Sequence, residues 1–121
     1  MTKGLIGIIG GSGLGEALSA RLKDVVLEDM DTPFGKPSGA ILVGELGSVR
    51  VAFLSRHGAG HRYNPSTVPY AANIFALKKL GVRTLIASAA VGSLQTEVAP
   101  GNLILVDQFI DKTFRRKNRP G

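Results

Sequence analysis

Three short apolar runs each end in a turn of glycine, small or basic residues, and this punctuation limits the chain to few folds. Leu5 to Ile9 runs into Gly10-Gly11-Ser12-Gly13. Val49 to Leu54 runs into Ser55-Arg56-His57-Gly58, and Arg83 to Ala90 into Val91-Gly92-Ser93. An apolar run of four to eight residues bounded by turn formers reads as a buried strand. Helical patterns lie between the runs. Leu14, Ala17, Leu18 and Leu22 fall on one face of a helix after the first turn. Ser66 is placed to cap a second helix from about Thr67 to Leu80, with Pro69 in its first turn and Gly81 as its stop.

The remaining elements follow from the same rules. Val25 to Leu27 reads as a short strand, and Asp31 to Gly39, dense in turn formers, as a loop. Ile41 to Leu46 and Val49 to Leu54, separated by Gly47-Ser48, read as a hairpin. Ser55 to Pro65 reads as a polar loop. Asn102 to Val106 is expected to be the last strand, introduced by the Ala99-Pro100-Gly101 turn. Strands alternating with helices, with one hairpin inserted, give an α/β class with a mixed central sheet flanked by helices.

A length of 121 residues suits one domain. With 44% apolar and 20% charged residues the chain has the composition of a globular protein, not of a disordered one. Its 16 glycines are about twice the usual share, which points to tight turns and close approach of backbone to a ligand. The absence of cysteine removes disulfide and thiolate chemistry. Glycines interrupt the apolar start at positions 7, 10, 11 and 13, unlike a secretion signal. No apolar stretch nears the ~20 residues of a membrane span. A cytoplasmic protein with no membrane partner is expected. The net charge is +6, and Arg115, Arg116, Lys117 and Arg119 crowd the end. A basic tail without interleaved aromatics reads as a solvated end, and no nucleic-acid partner is expected.

Chemistry can sit at each strand exit. The Gly10–Gly13 turn, between a strand and a helix, presents backbone amides to an anion at the positive end of the helix dipole. A ligand-free tight turn explains it equally well, and neither the dinucleotide nor the triphosphate glycine spacing is present. Arg56-His57-Gly58-Ala59-Gly60-His61-Arg62 concentrates donors: a guanidinium fork suits phosphate, and imidazole donates to phosphate or a sugar hydroxyl. Both of the chain's histidines fall here. Without a nearby carboxylate or cysteine they make a poor zinc site, so no metal is expected. Ser88-Ala89-Ala90-Val91-Gly92-Ser93 offers amides beside small side chains. In open α/β sheets ligands collect at the carboxyl ends of strands, which is where all three stretches lie.

Several stretches together resemble the trimeric purine nucleoside phosphorylases, and within them the 5′-methylthioadenosine phosphorylases. They are Ile8 to Leu14, Asp31 to Ser38, Arg56-His57-Gly58 with His61, Tyr70 to Lys78, Val91 to Leu94 and Asp107 to Thr113. The likeness runs from about residue 5 to 116. It implies one α/β domain around a mixed sheet, of which this chain is the N-terminal part, assembled as a homotrimer. It further implies phosphorolysis of a purine nucleoside by inorganic phosphate, without a cofactor, to a free base and a ribose 1-phosphate. For the methylthioadenosine branch the sugar product is 5-methylthioribose 1-phosphate.

Carried over by position, the resemblance implies phosphate binding by Ser12, Arg56, His57 and the amide of Ala90. It places His61 and Pro65 on the sugar side and requires no covalent catalytic residue. Two departures stand out. A hydroxyl residue usually precedes that alanine, but here it is Ala89, with Ser88 or Ser93 as possible substitutes. Family members are also more than twice as long, and their purine-binding groups fall beyond this stretch. The alternative expectation is therefore a catalytically silent fragment that keeps only an anion-binding or subunit-interaction surface.

Overall fold

The computed structural model describes residues 4–116, and of Ser12 the backbone alone. Five strands form one sheet in the order β2-β3-β4-β1-β5: β1 Leu5–Gly10, β2 Lys23–Glu28, β3 Ile41–Leu46, β4 Val49–Ser55 and β5 Val82–Ala87. β1 lies parallel to β4 and β5, whereas β3 is antiparallel to both β2 and β4. The mixed α/β sheet expected from the sequence is the observed one. Leu46 pairs with Val49, so Gly47 and Ser48 alone turn the hairpin.

Alternation along β4 assigns the two faces of the sheet. Ala52 and Leu54 pack with Leu5, Ile9, Ile41, Val43 and with Ala76 and Leu77 of α2 (Tyr70–Lys79). Val51 and Phe53 pack instead with Leu18 and Leu22, in and just beyond α1 (Ser12–Ser19). Successive strand side chains point to opposite faces, so α1 and α2 cover opposite sides of one sheet. Ile41 and Leu54 are fully buried, and each such side chain contributes roughly 1.5–3 kcal/mol by leaving water.

Four details differ from the sequence expectations. Ala17 faces solvent; α1 packs through Leu14 and Leu18, and Gly15 lets the ring of Phe53 approach where a Cβ would stand 2.9 Å away. The second helix begins at Tyr70 rather than Thr67, and Ser66 does not cap it. Asn64 intervenes: its Oδ1 accepts the amides of Ser66 and Thr67, holding them in a side-chain-closed turn before the helix. β5 ends at Ala87, so Ser88, Ala89 and Ala90 lie beyond the strand.

The largest difference is at Asn102 to Val106, which form no strand. No described strand lies beside them to take their amides and carbonyls, and apolar character alone does not make a strand. Among the described residues no helix is long and apolar enough to cross a membrane. Lys117 to Gly121, the end of the basic tail, lie outside the described residues.

Candidate functional site

The parallel strands β4, β1 and β5 are adjacent, so their carboxyl ends emerge side by side. Gly10 pairs with Ser55, and Ile9 with Ala87. Beyond the strands the pairing continues between the exits themselves. The Arg56 amide donates to Gly10 O (3.0 Å), and the Ser88 amide donates to Ile9 O (2.9 Å). Gly10 makes this closeness possible: a Cβ there would stand 2.9 Å from Ser88 Oγ and 2.7 Å from Leu14 Cδ2.

Side chains tighten the junction. Arg56 Nη1 donates to Ser88 O at 2.8 Å, so the β4 exit is tied across β1 to the β5 exit. Arg56 Nε lies 3.4 Å from His57 Nε2. His57 Nδ1 lies 2.9 Å from Tyr63 O. A carbonyl only accepts, so Nδ1 carries a proton, and in the neutral ring Nε2 is the acceptor facing Arg56. The His57 and His61 rings stack at 5.3 Å with an angle of 25°. His61 sits in the short 3-10 turn Ala59–His61 with φ 53, a left-handed conformation open to a histidine in a loop.

Arg56, His57 and Ser88 are half-buried. No carboxylate pairs with Arg56 among the described residues. Among the described residues, two of the five guanidinium donors are engaged by protein and the charge has no counterion. The Lys36 ammonium is held above the usual lysine value. The hydrogen bond to Asp31 is the main cause, followed by the charge of Asp29.

The sequence-derived candidates fall into three groups. Arg56, His57 and His61 come together at the β4 exit. Pro65 lies further along the same loop, where its carbonyl accepts the Tyr70 hydroxyl at 2.6 Å; Tyr70 in turn lies 4.2 Å beneath the Arg116 guanidinium. Ala90 is exposed, two residues past Ser88, and is not part of the hydrogen-bonded junction. Ser12 opens α1 directly after the β1 exit, and its hydroxyl lies outside the described atoms.

The residues that complete the junction are less visible in sequence. Ser88 contributes its backbone carbonyl and amide, and Tyr63 its carbonyl; a motif of side chains carries no trace of either. Ser38 and Asn73 support the β4 exit from behind. Asn73 did leave a signal, a polar residue in register with Ala76 and Leu77 on the buried face of α2. A separate hollow of about 310 Å³, lined by Asp24, Val26, Glu28, Val43, Gly44, Glu45 and Arg50, lies over β2, β3 and β4 and contains none of these residues.

In open α/β sheets ligands collect at the carboxyl ends of strands, and here those ends are joined and carry Arg56, which has no carboxylate partner among the described residues. The chain belongs to the phosphorylase superfamily, whose family model matches residues 5–120. It is 53% identical over 116 residues to the S-methyl-5′-thioadenosine phosphorylase of Synechocystis sp., covering 96% of this chain and 35% of that protein. With the enzyme of the same name from Hyperthermus butylicus it shares 52% over 111 residues, 92% of this chain and 40% of the relative. The structure superposes on methylthioadenosine phosphorylase from Schistosoma mansoni in complex with tubercidin with TM-score 0.86 at 45% identity. That match covers 96% of this chain and 41% of the other. The chain thus spans well under half the length of these relatives.

Proposed function

We propose that this chain supplies the phosphate- and sugar-binding part of a phosphorylase that cleaves 5′-methylthioadenosine, or a related purine nucleoside, with inorganic phosphate. The observation that carries the reading is the junction of three strand exits around Arg56, a half-buried cation tied to Ser88 O and lacking a carboxylate partner among the described residues. The names of its relatives supply the substrate.

In this reading the remaining Arg56 donors grip phosphate oxygens, since a guanidinium fork matches that geometry. His57 lies beside the phosphate, its ring held by Tyr63 O and its Nε2 accepting from Arg56 Nε, and so orients the guanidinium toward the anion. The amides of Ala90 and of the Gly10–Gly13 turn, with the Ser12 hydroxyl, complete the cradle. His61 and Pro65 face the sugar. A phosphate oxygen attacks the anomeric carbon as the bond to the purine breaks. The bond's electron pair leaves on the base, which takes up a proton. The sugar passes through an oxocarbenium-like state, and the fixed anion both attacks it and stabilises its charge. The chemistry needs no metal, cofactor or covalent intermediate. The chain is read as the N-terminal part of one domain of a cytoplasmic homotrimer.

The test is base release from methylthioadenosine with and without phosphate, alongside separate calorimetric titrations of the two substrates. Adenine released only with phosphate supports phosphorolysis. Equal release without phosphate makes the protein a hydrolase. Phosphate binding without nucleoside binding makes this chain the silent anion-binding fragment.

A further inference from the structure

Ser38 and Asn73 are the buried polar residues among those described, 3% and 2% exposed, and they lie 35 positions apart in sequence. The Ser38 amide donates to Asn73 Oδ1 at 2.8 Å, fastening the 31–39 loop to the buried face of α2. Its hydroxyl donates to Ser55 O at 2.5 Å. That carbonyl also receives the Gly58 amide at 3.3 Å, which closes a turn with Arg56 and His57 as its two central residues. Ser38 touches the far side of this turn as well: a Cβ on Gly58 would stand 2.7 Å from Ser38 O. One end of the turn is thus hydrogen-bonded to Ser38, the other lies near its carbonyl, and Ser38 is itself held by Asn73.

We propose that Ser38 and Asn73 are positioning residues, a buried relay from α2 that sets the orientation of the Arg56–His57 turn toward the anion. The inference rests on the anion-binding reading of that turn. The physical reason is rigidity. The Arg56–His57 turn gains affinity for an anion only if its donors are fixed beforehand, because ordering them on binding costs free energy. The Arg56 amide still bonds Gly10 O across the exits, and the rest of the turn needs a further support. Buried polar groups that are fully satisfied specify one arrangement, and one hydrogen bond here reaches the carbonyl that closes the turn.

The experiment is calorimetric titration of the full chain with inorganic phosphate, comparing wild type, Ser38→Ala and Val43→Ala. Val43 lies in the core away from the turn, so its truncation destabilises the fold without touching the relay. Ser38→Ala is expected to weaken phosphate binding about fivefold to tenfold, the reach of one hydrogen bond. Val43→Ala is expected to leave it unchanged. The nitrogen signals of the His57 ring, read by NMR without phosphate, should move in Ser38→Ala and stay in place in Val43→Ala. Should Ser38→Ala not fold, Ser38→Cys, a weaker donor of similar length, carries the same comparison. Unchanged affinity and unmoved His57 signals in the Ser38 variant overturn the relay while leaving the anion site standing. A wild-type chain that binds no phosphate removes the anion site and the relay together.

Discussion

The segments Ile41–Leu46 and 102–106 have similar apolar character, and only the first is a strand. Ile41 is fully buried, paired with Glu28, and packed in the α2-side core. Leu103 and Leu105 are 100% and 96% exposed and join no sheet. The difference shows that strand formation here depends on a neighbour. Residues 4–87 close their own ladder, whereas 88–116 carry strand-forming residues without one. The exits of β1 and β4 belong to the first region, and the β5 exit, from Ser88 on, opens the second.

That contrast can be broken by mutation. The largest effect is expected for Leu54→Ala, a fully buried β4 residue: a loss of about 2–5 kcal/mol of stability by denaturant unfolding. Arg56→Ala should leave the fold intact and weaken phosphate binding by about 1.5–3 kcal/mol in a calorimetric titration. Gly58→Ala should cost about 1–3 kcal/mol, because φ 76, ψ 174 is a conformation reserved almost to glycine, and the added Cβ meets Ser38 O. Leu105→Ala, the counterpart of Leu54→Ala in the open segment, should change stability by no more than about 0.5 kcal/mol. A loss as large as that at Leu54 would mean that the segment is packed after all. Lys36→Gln should have the smallest effect, leaving the thermal midpoint where it is. Its ion pairs with Asp29 and Asp31 are exposed at 3.5 and 3.2 Å.

What could be read from sequence divides along the same line. The β1 run, the hairpin and the core of α2 follow local periodicity, and all three are present. Periodicity also offered Ala17 to the core, but Gly15 permits a closer approach to Phe53 and takes its place. The start of α2 was misread because Ser66 and Asn64 are both capping residue types, and only the fold decides which one accepts the amides. Asn102 to Val106 was misread because local pattern carries no information about the partner a strand needs. Arg56, His57 and His61 were legible since they are neighbours in sequence and share a loop. The Ser38–Asn73 support was not legible as a unit, since a contact across 35 residues is created by the packing of α2 and not by any motif.

The central claim is that the exits of β1, β4 and β5 act as one anion cradle, and amide NMR during a phosphate titration tests it most directly. The account predicts that the backbone signals of Gly11 to Gly13, of Arg56 to Gly58 and of Ser88 to Ala90 shift together and saturate with a single dissociation constant. Shifts confined to the basic residues near the C-terminus, or separate constants for the three loops, would contradict it.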